Sequence, residues 1–176
     1  MKIKKASTIV FIVFMVLGGS LCSQSISQIS YIIKQSIADT ETIAVIFSNV
    51  SKDQVEGEAR SASMITKKQH LVFGVTSKMD IAKQVDAILK MPKTVVFIFT
   101  DSTILTPETV KFISQKIGLK KIPTITNRAG DTLQGALLSV YKNNDKLEKH
   151  INKKLLPIFE LTIPAEILAE CITDAE

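Results

Sequence analysis

Thr94-Val95-Val96-Phe97-Ile98-Phe99, followed at once by Thr100-Asp101-Ser102-Thr103, is the stretch on which the fold turns. An unbroken apolar and β-branched run stops abruptly at hydrogen-bonding residues. A strand with one face in water alternates apolar and polar side chains. A continuous run belongs to a strand buried on both faces.

The same grammar recurs on either side. Thr42 to Phe47 (TIAVIF) stops at Ser48-Asn49, and Leu71 to Val75 (LVFGV) closes at Thr76-Ser77. Ile122 to Thr126 (IPTIT) runs into Asn127-Arg128. Helical spacing fills the gaps. Ser51 to Lys67 carries Val55, Ala59, Ala62 and Ile65 on one stripe, with Ser51 as N-cap and Asp53 in the first turn. Lys78 to Met91 carries Ile81, Val85, Ile88 and Leu89 and ends before Pro92. Thr106-Pro107-Glu108 opens a third helix with Pro107 in its first turn and Gly118 as C-cap glycine. Strands alternating with helices predict an α/β, Rossmann-like three-layer domain with a mainly parallel sheet.

The two ends read differently. Ser25 to Asp39 places Ile26, Ile29, Ile33 and Ile37 on one helical face. Near the other end, Gly135 to Lys142 and Leu147 to Asn152 flank the turn formers Asn143 to Lys146, which predicts a C-terminal β-hairpin. A short helix over Lys153 to Phe159, bounded by Pro157, and a last helical turn from Pro164 follow.

Ahead of all this lie Lys2, Lys4 and Lys5, the apolar run Ile9 to Leu17, then Gly18, Gly19 and Ser20. Charge, short apolar core and small residues make a secretory signal peptide over 1–22. The run falls short of the roughly 20 apolar residues a membrane-spanning helix needs. Ser20 and Cys22 suit a cut before Ser23. The alternative is a lipidated Cys22, as in bacterial lipoproteins, although Leu21 replaces the small residue expected before it. The expectation is one periplasmic or secreted domain over 23–176. Losing the three leader lysines lowers the formal charge from +5 to +2, so basicity gives no case for nucleic acid. Cys171 is then alone in an oxidising compartment.

Motifs for chemistry are missing. No GxGxxG follows the first strand, and there is neither a Walker A sequence nor a GxSxG elbow. His70 and His150 stand far apart, without the spacing of a metal site, and read as exposed or edge-strand residues. The expectation is a non-enzyme with no catalytic residue, no cofactor and no metal. Open α/β sheets bind ligands beyond the carboxyl ends of their strands. The candidate ligand-binding residues are therefore Ser48, Asn49, Thr76, Ser77, Asp101, Ser102, Thr103 and Asn127, with Asp101 foremost because it follows the most apolar strand. The competing reading for each hydroxyl and amide is a helix or turn cap.

Two resemblances add to this. Thr76-Ser77 with Asp80-Ile81, then Asp101 and Ile122-Pro123, resemble the pattern of ABC-transporter substrate-binding-like proteins. So does the tail, with Ile151-Asn152, Leu161-Thr162-Ile163-Pro164 and Ile167-Leu168-Ala169. That resemblance implies a ligand cleft walled by Asp101 and its hydroxyl neighbours. It also implies a second lobe, for which the chain has no residues, so transport does not follow. The overall plan of helix, Rossmann-like domain and Gly-led hairpin is similar to the YfiR/HmsC-like periplasmic regulators. These are non-enzymatic and act on membrane signalling proteins such as diguanylate cyclases. The paired cysteines found in some of them are not in this sequence. The partners implied are a small polar ligand or a membrane signalling or transport protein, with a homodimer left open.

Overall fold

The computed structural model describes residues 25–48 and 52–174. The predicted leader with Cys22, the Ser51 N-cap and Asn49 lie outside the described residues. The chain starts with helix α1 (Ile26–Ser36), capped by the Ser25 hydroxyl, which accepts from the Gln28 N–H. Then come β1 (Thr42–Phe47), α2 (Lys52–Thr66), β2 (Gln69–Gly74), α3 (Lys78–Ile88), β3 (Thr94–Phe99), α4 (Pro107–Gly118) and β4 (Thr124–Thr126). A 3-10 turn (Asp131–Gln134) leads to β5 (Leu138–Asn143) and β6 (Lys146–Ile151). Short helices α5 (Leu155–Phe159) and α6 (Ala165–Ala169) precede β7 (Ile172–Thr173).

The strands form one sheet in the order β2-β1-β3-β4-β5-β6-β7. Neighbours are parallel except β5 and β6, which pair antiparallel. The α/β, Rossmann-like reading holds, hairpin included. Strand parity sorts the core into two layers. Ile43, Val45 and Phe47 of β1, with Val95 and Phe97 of β3, face α1 and α2. Ala44, Ile46, Val96 and Ile98 face α3 and α4. Every residue of β1 is buried, and in β3 only Phe99 is partly exposed.

Three local expectations are corrected. The β2 strand begins two residues earlier than the apolar run and is half-exposed, because it is the sheet's edge. Gly118 is the last residue of α4 rather than its left-handed cap. The left-handed position falls at Lys121 (φ 56), where Lys121 N–H donates to Gly118 O (2.9 Å) and Ile122 N–H to Ile117 O (3.3 Å). Those two bonds make a Schellman motif three residues further on. The hairpin turn is two residues, not four. Asn144 (φ 47) and Asp145 (φ 63) both take the left-handed conformation that a tight hairpin requires.

Lys67 closes α2 at φ 60, with its N–H on Ser63 O at 2.9 Å. A Cβ in that conformation costs about 1–2 kcal/mol, which glycine avoids at some cost in unfolded-state entropy. Lys67→Gly is expected to raise stability by about 0.5–1 kcal/mol in urea unfolding at unchanged m-value.

Candidate functional site

The order β2-β1-β3 means that the chain leaves β1 in one direction for β2 and lies on its other side with β3. Connections part above these two strands, and such a switch point is where open α/β sheets form a crevice. Their exits carry Ser48 and Asp101. Ser48 is buried, and its hydroxyl donates to Asp101 Oδ2, bridging β1 to β3.

Asp101 does more than meet Ser48. Its Oδ1 accepts from the Thr103 N–H (2.6 Å), the Thr103 hydroxyl (2.9 Å) and the Ile104 N–H (2.7 Å), and its Oδ2 from the Leu105 N–H (3.2 Å). The carboxylate thus folds the 101–105 loop around itself. Burial alone would push its pKa up from 3.8. The bonds from Ser48, Ile104 and Thr103 outweigh that and bring it down to about 2. Asp101 is therefore charged at neutral pH, and its lone pairs are largely taken by the protein itself.

Arg128 closes the loop from the other side. Its Nη1 donates to the carbonyls of Asp101 (3.0 Å) and Leu105 (3.2 Å). Its Nε and Nη2 both reach Oδ1 of Asp131 (3.1 and 3.0 Å). Asp131 is only 1% exposed, and burial pushes its pKa up against the pull of Arg128. Beside this clamp, Asn127 Oδ1 accepts from both the N–H and the hydroxyl of Thr100 at 2.8 Å. Asn127 thereby ties the exit of β4 to that of β3.

The predicted residues divide into groups. Ser48, Asp101 and Thr103 are brought together, and Asn127 joins them through Thr100. Ser102 is exposed at the loop tip. Thr76 and Ser77 stand at the exit of β2 with a different task. Their hydroxyls and N–H groups converge on Asp80 Oδ2, and Ser77 Oγ accepts from the Asp80 N–H, which is a capping box on α3. Here the capping reading describes what the side chains do. Arg128 and Asp131 were missing from the candidates. Their signal was present: an Arg and an Asp three residues apart, directly after a strand.

A second polar cluster lies on the hairpin. His150 Nδ1 is 2.7 Å from Asp174 Oδ1, and its Nε2 is 2.8 Å from the Tyr141 hydroxyl. Thr132 donates to the other oxygen of Asp174. Burial and then Glu148 push the Tyr141 phenol up to about 12, so it remains protonated. His150 is thus neither exposed nor on an edge, because β7 pairs beyond it. Among the described residues, no three His, Cys, Asp or Glu side chains gather as metal ligands would.

No family model matches the chain, and no curated protein does. Solved structures do. A conserved domain protein from Vibrio cholerae O1 biovar El Tor superposes with a TM-score of 0.71 at 14% identity, over 84% of this chain and 59% of that one. An ABC domain in complex with L-Trp from Streptococcus pneumoniae gives 0.69 at 20% identity, over 84% and 60%. A substrate-binding protein with adhesive properties from Clostridium difficile, in its ligand-free open structure, gives 0.69 at 14%, over 87% and 60%. The described chain therefore has the Rossmann-like α/β fold found in substrate-binding proteins. At these identities the likeness is one of fold, and the chain spans about three-fifths of the length of each of these structures.

Two substitutions test the clamp. Arg128→Ala leaves the buried Asp131 without its partner and is expected to cost about 3–5 kcal/mol in chemical denaturation. Asp101→Asn removes an acceptor from the loop donors and is expected to cost roughly 1–3 kcal/mol at neutral pH. A carboxylate with a depressed pKa stabilises above its unfolded value and loses that contribution as pH falls through the folded one. The gap between wild type and Asp101→Asn should therefore close between pH 3.8 and about 2.

Proposed function

We propose that this chain is a non-catalytic ligand-binding module, built like one lobe of a substrate-binding protein and acting outside the cytoplasm. The observation that carries the reading is the pinned switch point, where Ser48 and Asp101 hold the exits of β1 and β3 together. In this reading the ligand is small and polar and sits on the rim above that pin. Ser102, Thr103 and Asn127 offer hydroxyl and amide groups there, with Thr76 and Ser77, which cap α3, at the exit of β2. Asp101 takes part mainly by setting the loop, so the wall is in place before the ligand arrives. Preorganisation of this kind removes an ordering cost that would otherwise be charged against affinity. The fold shared with an L-Trp-bound ABC domain and with a substrate-binding protein supports the reading. The leader-like residues 1–22 support export.

Thermal unfolding with L-tryptophan, the other free amino acids and short polar metabolites as probes tests this. A ligand at a hundredfold excess over its Kd stabilises by about 2.7 kcal/mol. Stabilisation by one probe is expected in the wild type and not in Ser102→Trp, whose indole covers the rim from an exposed position. A panel without effect, or an equal response in Ser102→Trp, contradicts the reading. For export, the mature protein is expected to begin at Ser23 by intact mass after expression with its leader.

A further inference from the structure

The sheet's two edges are not alike. At one end, β7 is two residues long and is followed by Asp174. At the other, β2 runs six residues, Gln69-His70-Leu71-Val72-Phe73-Gly74, with no charge and no proline. Leu71, Val72 and Phe73 are all only partly buried. Folded proteins usually guard a long edge with charges, proline or a bulge, because its free N–H and C=O groups recruit another strand. Nothing of the kind guards β2 among the described residues.

The register shows which groups are free. Gln69 N–H donates to Glu41 O (3.0 Å) and Val75 N–H to Phe47 O (2.9 Å), so odd-numbered residues turn their backbone towards β1. By the alternation of a parallel ladder, His70, Val72 and Gly74 turn theirs outward. These three are spaced evenly about Val72. A groove of about 600 Å³ follows this strand edge, with Leu71, Met91, Ala59 and the α2 residues Glu56 and Arg60 in its lining.

We propose that the β2 edge is a two-fold interface between two copies of this chain. An antiparallel partner centred on Val72 pairs Val72 with its own counterpart and His70 with Gly74 of the other copy. All outward backbone groups are then used. The same two-fold sets the α2 helices antiparallel, so Glu56 of each copy faces Arg60 of the other. Opposite charges meet twice, and a foreign strand would lack that reciprocity. Arg60 is 80% exposed in the free chain and pairs only at 3.7 Å with Glu56 of its own helix, which leaves it available to the second copy.

Sedimentation velocity of the purified full chain over a concentration series tests the interface. The wild type is expected to dimerise. Arg60→Glu, which places like charges across the two-fold, should raise the dimer Kd by about tenfold or more. The swap Glu56→Arg with Arg60→Glu should restore it, since it keeps both the intrahelical and the reciprocal pairing. Val72→Pro removes an outward N–H and should abolish the dimer. Circular dichroism of each variant checks the fold, and if Val72→Pro does not fold the charge swap still decides. A wild type that stays monomeric overturns the proposal. So does a dimer indifferent to Arg60→Glu, or one that the double swap does not restore.

Discussion

Strands β1 and β3 have no face to offer water. Ile43, Val45 and Phe47 are sealed by α1 and α2, and Ala44, Ile46, Val96 and Ile98 by α3 and α4. Phe97, the largest of the fully buried side chains, lies at the centre. Each Val, Ile or Phe among them stabilises the fold by about 1.5–3 kcal/mol when buried, so their removal from water governs everything nearby. One consequence is that polar groups are excluded from the strand interiors and collect where the strands end. The concentration of hydroxyls, amides and carboxylates at 48, 76–77, 100–103 and 127–131 is the counterpart of the apolar runs that precede them.

Once collected there, these groups must satisfy one another. An orphaned buried donor or acceptor costs about 1–3 kcal/mol. Asp101 settles several donors at once, since one carboxylate has more acceptor sites than a hydroxyl or an amide. Arg128 then works from outside the loop. Its planar fork spans two carbonyls on one side and a buried carboxylate on the other, which a lysine's single ammonium could not do. The result is a rim held by the protein's own bonds, with Ser102 left exposed at its tip.

The layered fold was legible because it depends on runs and periods. TIAVIF and TVVFIF coincide with β1 and β3 residue for residue, since a strand buried on both faces has no polar position inside it. The edge strand was harder. LVFGV omits Gln69 and His70, which pair with β1 although their composition does not mark a strand. Short β7 carried no pattern to read at all, and it exists because His150 and Ile151 offer it a backbone to pair with. At the site, sequence gave the strand ends but not the division of labour. Ser77 and Asp80 already had capping-box spacing, so their bonding was foreseeable. That Ser48 would reach across to Asp101, or that Arg128 would reach back to its loop, depends on contacts 23 to 53 residues apart along the chain.

The hairpin shows the same rule from the opposite side. Leu138, Val140 and Ile151 belong to the core shared with α1 and lie on one face of β5 and β6. The other face meets the 3-10 turn and, through Ser139, Thr126 and the Arg128 carbonyl. Ser139, Tyr141, Glu148 and His150 occupy it, paired directly across the two strands. A half-covered face cannot be filled with large apolar side chains without exposing them. It is filled instead by groups that bond laterally: Tyr141 to His150, His150 to Asp174 and Asp174 to Thr132. The chain of bonds starts on β5 and ends on the turn, crossing β6 and the residue that follows β7. It therefore fastens the last strand to the sheet where the two-residue ladder alone would be weak. Where helices cover the sheet, apolar burial suffices; where they stop, hydrogen bonds between side chains take over the work of holding strands in register.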